Sequence, residues 1–247
     1  MKAMVFAAGL GTRLRPLTND RPKALVEVGG KTMLERVITH LADCGVTDIT
    51  VNIHHFGDKI IEFLEEKKNF GLDIHISDER DLLLDTGGGL MKARKFLDGD
   101  DPFIVHNADI LTDLDLKAMY DFHVEHDALS TILVKDRQTQ RYFLFDHDHR
   151  LKGWINKKTG ETKPEGYQYD PQKVDSLAFG CVHVLSPRIL DALEKYSEAK
   201  GKVFSIAPFY AEMCDLYKIY GYQQFSDYKW LDVGKPETLA QAEELFK

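Results

Sequence analysis

The chain has 247 residues, of which 43% are apolar and 29% charged, with a formal net charge of −8. That length supports a core burying roughly 70–75% of the unfolded chain's surface, and the composition, with fourteen Phe, argues against a disordered chain. The negative charge argues against a broad basic face for nucleic acid. Three widely separated cysteines, Cys44, Cys181 and Cys214, argue against a disulfide scaffold or a cysteine zinc site and predict a reducing, cytoplasmic setting.

The elements come in chain order. Ala3 to Ala8 is a continuous apolar run ending in glycine, the pattern of a strand buried on both faces of a parallel sheet. It is too short for a membrane span and predicts a first strand rather than a leader peptide. Met33 to Leu41 reads as a helix with one apolar face, Asp48 to Ile53 as a strand, and Asp58 as the cap of a helix carrying Ile60, Ile61, Phe63 and Leu64. Leu72 to Ile76 reads as a strand, Leu90 to Leu97 as a helix entered through three glycines, and Pro102 to His106 as a fourth strand. Leu114 to His126 reads as a helix capped by Asp113. This alternation predicts an α/β fold with a Rossmann-like, doubly wound, mostly parallel sheet in three layers.

The rhythm then changes. Leu129 to Val134, Tyr142 to Phe145 and Leu151 to Ile155 read as strands, and polar residues 156–173 as a long loop. Such loops are functional or mobile more often than not. Ser176 to Leu185 is a further strand. Helices follow from Pro187 to Leu193 and from Ile206 to Leu216, then strands at Lys218 to Tyr222 and Tyr228 to Val233, then a helix from Pro236 to Phe246. No repeat or linker divides the chain. It reads as one domain over 1–247, with a hairpin and loop inserted in the second half.

Glycines directly after a first buried strand let a ligand approach the backbone, and open α/β sheets bind ligands at their strands' carboxyl ends. Here the stretch is Ala7-Ala8-Gly9-Leu10-Gly11-Thr12-Arg13-Leu14-Arg15-Pro16-Leu17-Thr18, then Arg21-Pro22-Lys23. A dinucleotide fingerprint needs glycine where Leu14 stands, and a P-loop needs one where Leu25 stands. Neither motif is present. Residues 13–31 carry a net +3, leaving −11 for the remainder. Such a loop suits a small polyphosphate or is a solvated basic turn.

Two other places carry chemistry. Asp85-Thr86-Gly87-Gly88-Gly89-Leu90 opens a helix, where backbone N–H groups suit an acceptor atom, although glycines also serve a tight turn. Asp109, in Asn107-Ala108-Asp109, stands at a strand's carboxyl end, a place for a hard cation or for a turn residue. The histidine pairs His123/His126 and His147/His149 lack further ligands and read as surface or capping residues. The cysteines sit in apolar settings without an adjacent base.

The stretch from Ala8 to Thr18 followed by Arg21-Pro22-Lys23-Ala24-Leu25 resembles the signature of the sugar-1-phosphate nucleotidyltransferases, also called nucleotide-sugar pyrophosphorylases. Further landmarks recur in order. The resemblance implies that Ala8, Gly9, Gly11, Thr12 and Arg13 wrap the nucleotide, and that Arg13 binds the triphosphate. Lys23 then touches the reacting phosphates, and Gly87 and Gly88 hold the nucleobase through backbone contacts. Asp109 falls on the family's metal-binding aspartate, although many members have Gly where Ala108 stands. Asp232, in Trp230-Leu231-Asp232-Val233-Gly234-Lys235-Pro236-Glu237, falls on the second metal ligand. Leu177-Ala178-Phe179-Gly180-Cys181 resembles the sugar-side segment and places Gly180 near the sugar, with Glu165 a weaker candidate for a sugar hydroxyl.

The resemblance therefore implies an Mg²⁺-dependent enzyme joining an NTP and a sugar 1-phosphate into an NDP-sugar with release of pyrophosphate. Residues 1–127 would form the nucleotide half, and 128–247 the sugar half with the second metal ligand. The catalytic set would be Arg13, Lys23, Asp109 and Asp232. The form of the motifs looks most like N-acetylmuramic acid 1-phosphate uridylyltransferases, which favours UTP, and also like mannose- or heptose-1-phosphate guanylyltransferases, which use GTP. A silent sensing module on the same fold is the alternative from another class. No nucleic-acid or membrane partner is expected.

Overall fold

The computed structural model describes residues 1–247. Ten strands form its main sheet. Four run parallel in the spatial order Asp73–Asp78, Asp48–Ile53, Lys2–Phe6, Phe103–Asn107. The inner strands are apolar in most positions because helices cover both faces, with Thr50, Asn52 and His106 as buried polar exceptions. Met4, Phe103 and Val105 enter one buried cluster, and Ala3, Val5 and Ile104 the other. Alternate residues thus feed opposite layers, which makes the predicted three-layer α/β architecture.

The chain leaves Lys2–Phe6 toward Asp48–Ile53 and Asp73–Asp78, then returns to lay Phe103–Asn107 on the first strand's other side. The direction of winding reverses between Lys2–Phe6 and Phe103–Asn107. That reversal opens a crevice at their carboxyl ends.

The second half joins this sheet through one long strand, Asp175–Leu185. Its Val182–Leu185 part pairs antiparallel with Phe103–His106. Its Asp175–Leu177 part pairs with Arg141–Phe145, which continues into Leu151–Asn156 and Thr162–Lys163. Ser130–Lys135 lies along the Ala178–Leu185 part of the strand, with an irregularity between Phe179 and His183 where Cys181 has φ 58°. Ile219–Tyr222 closes that edge. No helix is long and apolar enough to cross a membrane.

Several elements depart from the sequence expectation. The helix at Asp58 is Gly57–Glu66, entered through Phe56 at φ 56° with no side-chain cap. Asp58 is instead drawn to the guanidinium of Arg80. The helix expected from Leu114 is Leu116–Glu125, and its cap is Asp115, whose carboxylate accepts from Ala118 N at 2.9 Å. Asp113 accepts from Lys229 N and ties the chain to its last strand. The helix after Pro187 runs on to Lys200 because Tyr196 extends its buried face. The helix expected from Leu90 begins five residues earlier, at Asp85, so its three glycines are helical. Within the expected loop 156–173, Thr162–Lys163 pairs with Trp154 and Ile155, and Lys163 reaches Glu212 at 2.9 Å. Glu212 also meets Lys200 and Tyr196.

Candidate functional site

The carboxyl ends of all four parallel strands meet at the crevice. Ala7-Ala8-Gly9, Asn52, Glu79 and Asn107-Ala108-Asp109 line a cavity of about 370 Å³, with Lys23, Asp85, Thr86 and Val203 closing it. This volume lies in the range that holds a small organic ligand.

Two buried polar residues build the floor. Asn52 Oδ1 accepts from the N–H groups of Ala7 at 2.7 Å and Ala8 at 3.2 Å. Its Nδ2 donates to Glu79 Oε1 at 2.8 Å, and Glu79 Oε2 accepts from Leu84 N at 3.0 Å. Both side chains are buried. The pair therefore fixes the start of the glycine loop and the approach to the Asp85 helix from below. Sequence reasoning passed both over. The available signal was a polar residue near or just past the carboxyl end of a buried strand, in Thr50-Val51-Asn52 and Ser77-Asp78-Glu79.

The glycine loop turns back on itself at Gly11, whose φ is 63° and whose missing Cβ would stand 2.9 Å from Lys23 Cβ. Thr18 Oγ1 donates to Gly11 O at 2.8 Å and closes the turn. Only glycine fits this φ and this approach, so Gly11 is part of what sets Lys23 against the cleft. Thr12–Leu14 forms a single tight turn with Leu14 buried and Arg13 exposed.

Gly87 and Gly88 lie apart from the cavity wall. Both N–H groups donate to Phe204 O, at 2.9 and 3.3 Å. A Cβ on Gly87 would reach within 2.3 Å of the Phe204 ring, and one on Gly88 within 2.2 Å of Lys202 O. The two glycines admit the 202–206 segment against the helix. Thr86 Oγ1 accepts from Ile206 N at 2.9 Å and reinforces this contact. The groups that reach the cavity at this end are Leu83, Asp85, Thr86 and Val203.

The charged residues converge at the other end. Lys23 forms an ion pair with Asp109, and the lysine side chain is largely buried. The last strand, Trp230–Asp232, pairs with Ile110–Thr112 so that Asp232 faces Ile110, and Val233 N donates to Asp109 O at 2.9 Å. Asp109 and Asp232 are thereby neighbours although 123 positions apart in the chain. Burial raises the Asp232 carboxyl pKa above its ordinary value, and the Asp109 charge raises it further against Lys23, Arg13 and Arg137. Asp232 Oδ1 is buried and has no hydrogen-bond partner. At Gly234, a Cβ would lie 2.8 Å from both that oxygen and an Arg13 guanidinium nitrogen.

Two converging carboxylates, one with an unpartnered buried oxygen, fit a hard divalent cation. A separate group, Asp48, Asp73 and His75, also brings ligand atoms close. It stands at the amino ends of its strands, across the sheet from the cleft.

Gly180 contributes its carbonyl, which accepts from Trp230 Nε1 at 3.0 Å, and a Cβ there would strike Leu133 at 2.7 Å. Cys181, expected in an apolar setting, stands beside Asp109 and Asp232. Burial and those charges push its thiol up to about 12, so it stays protonated. His123, expected as a surface or capping residue, is buried with Nδ1 at 3.0 Å from Thr131 Oγ1. His126 does cap its helix, with Nδ1 at 2.8 Å from Phe122 O.

Comparison with known proteins adds to this geometry. The family described as Nucleotidyl transferase matches residues 2–247. A mannose-1-phosphate guanyltransferase from Candida albicans is 32% identical over 242 residues, covering 96% of this chain and 62% of the relative. This chain thus spans less than two thirds of that relative's length. An N-acetylmuramate alpha-1-phosphate uridylyltransferase from Caulobacter vibrioides is 50% identical over 109 residues, covering 43% of this chain and 45% of the relative. Among solved structures, HddC from Yersinia pseudotuberculosis, complexed with GMP-PN, matches with a TM-score of 0.74. It is 24% identical over 100% of this chain and 99% of that one, a likeness of fold.

Proposed function

The chain belongs to the Nucleotidyl transferase family, and we propose that it joins an NTP to a sugar 1-phosphate, forming an NDP-sugar and releasing pyrophosphate. The observation that carries this reading is the convergence of Lys23, Arg13, Asp109 and Asp232 at the rim of the switch-point crevice. The resemblance in the glycine loop supports the same assignment.

In this reading the crevice beside Ala8, Gly9, Gly11 and Thr12 takes the nucleotide, and Arg13 faces its β- and γ-phosphates. The base lies toward the Asp85 helix. Gly87 and Gly88 act there by admitting the 202–206 segment, since Phe204 already takes their N–H groups. Gly180 belongs to the sugar side, where Trp230 holds its carbonyl. Residues 1–127 form the nucleotide half of a single unit, and 128–247 the sugar half.

The nucleophile is a phosphate oxygen that is already anionic near neutral pH, so no strong general base is needed. The chain's task is to bring anions together. Lys23 offers a fixed ammonium toward the reacting phosphates, and Arg13 neutralises the leaving pyrophosphate. Asp109 and Asp232 would hold Mg²⁺, which supplies positive charge against the phosphate oxygens. The three free thiols are consistent with a cytoplasmic setting.

UTP is the nucleotide we favour, supported by the 50% identical stretch shared with a uridylyltransferase. A second reading, GTP with mannose or heptose 1-phosphate, draws on the near-complete coverage of this chain by a guanyltransferase. The silent-sensor alternative is opposed by the two paired carboxylates, which binding alone does not require. Pyrophosphate release with four NTPs against N-acetylmuramic acid, mannose, heptose and glucose 1-phosphates tests the proposal. Release with UTP and one sugar supports it. NTP binding without release on any sugar would favour the sensor.

A further inference from the structure

The proposed function gives the second anion, the sugar 1-phosphate, at most a share of Lys23, which is also paired with Asp109, while Arg13 lies on the nucleotide loop. Two cations the sequence reading did not single out stand nearby. Ser130–Lys135 runs antiparallel to Asp175–Leu185, which runs antiparallel to Phe103–Asn107. It therefore points the same way as the parallel strands, and its last residue, Lys135, emerges on the crevice side. Arg137 follows two positions later.

Both side chains gather on one aromatic platform. Lys135 Nζ lies 3.9 Å from the Tyr228 ring centroid and 5.5 Å from that of Trp230, and Arg137 Cζ lies 5.2 Å from the Trp230 centroid. Trp230 and Asp232 are two apart on one strand, so their side chains share a face. Arg137 also donates to Phe179 O at 3.2 Å, beside the Gly180 carbonyl that Trp230 holds.

Neither cation has a carboxylate within ion-pair distance, the Lys135 ammonium makes no hydrogen bond, and the Arg137 guanidinium makes only the one to Phe179. Lys135 is half-buried and Arg137 exposed; two like charges side by side repel, and aromatic faces offset that only in part. The ring faces fix the cations without consuming their N–H groups. Such an arrangement leaves both charged groups open to an anion, and a guanidinium fork beside an ammonium matches a phosphate.

We infer that Lys135 and Arg137, seated on Tyr228 and Trp230, receive the phosphate group of the sugar 1-phosphate. This rests on the proposed function and adds the residues that bind the second substrate.

The test is steady-state kinetics of Lys135→Gln, Arg137→Gln and Arg137→Lys, with the NTP and sugar 1-phosphate varied in turn. Calorimetry of the sugar 1-phosphate and of the unphosphorylated sugar accompanies it. Each Gln variant is expected to raise KM for the sugar 1-phosphate about ten- to hundredfold, with KM for the NTP changed less than about twofold. Arg137→Lys recovers part of the loss. Affinity for the unphosphorylated sugar stays at the wild-type value. An unchanged KM for the sugar 1-phosphate, or an equal rise for both substrates, would overturn the inference while wild-type turnover kept the parent reading intact. Failure of the wild-type protein to turn over any sugar 1-phosphate would overturn the parent reading instead.

Discussion

Asn52 and Glu79 meet through one hydrogen bond, Nδ2 to Oε1 at 2.8 Å, beneath the crevice, and each spends its other polar atoms on backbone N–H groups. A buried polar pair of this kind is stable only when complete, because each orphaned group costs about 1–3 kcal/mol. Asn52→Leu is expected to lower stability by about 2–4 kcal/mol in urea melts and to raise KM for the NTP, since Ala7 and Ala8 lose their acceptor. Glu79→Gln should lose less stability, because one of its two accepting oxygens remains. Unchanged stability in Asn52→Leu would show that the network does not brace the loop.

The glycines of the Asp85 helix separate by position. Gly87→Ala and Gly88→Ala put a methyl into Phe204 and Lys202. Overpacking of this sort costs about 1–3 kcal/mol, and we expect Tm to fall in both variants. Gly9, by contrast, lines the cavity with open space where its Cβ would go. Gly9→Ala should therefore melt like the parent, and a large loss there would contradict this packing account.

Three histidines make stability sensitive to acid. Burial pushes His106 and His123 down to about 4, and His183 to about 3. All stay neutral in the folded chain at neutral pH, whereas the unfolded chain takes up protons below about 6.5. Stability is full above pH 6.5 and declines as pH falls toward 4, by up to about 1.4 kcal/mol per histidine per pH unit. Urea midpoints at pH 7.5 and 5.0 should differ markedly, and His123→Asn should narrow the gap. Equal midpoints would contradict the burial.

Much of this was legible in the sequence. The buried first strand and the β-α-β-α rhythm announced the parallel sheet, because burial on both faces leaves an unbroken apolar run. The glycine loop announced the crevice. Cap residues were less legible, since Asp113 and Asp115 are alike in sequence and only tertiary contact with Lys229 decides between them. The glycine trio read as a helix opening whose N–H groups face a ligand, and the structure uses two of those N–H groups on Phe204, a partner more than a hundred residues away. Asn52, Glu79, Lys135 and Arg137 escaped notice for the same reason. Each acquires its role from neighbours that no local pattern records.

The carboxylate pair has a signature in the absence of metal. Asp232 carries a raised pKa partly because Asp109 stands beside it. Asp232→Asn removes one of two repelling charges, so its metal-free Tm should equal or exceed that of the parent. Adding Mg²⁺ should raise Tm in the parent and leave Asp232→Asn unmoved. An equal Mg²⁺ shift in both proteins would place the ion elsewhere, with Asp48, Asp73 and His75 as the next group to examine.

The most direct measurement is pyrophosphate release at saturating NTP and sugar 1-phosphate, titrated with Mg²⁺, for the parent, Asp109→Asn, Asp232→Asn and Lys23→Ala. The account predicts release that requires Mg²⁺ in the parent and falls at least about a hundredfold in each variant. Near-parental release from Asp109→Asn or Lys23→Ala, or release that persists with the metal chelated, would contradict it.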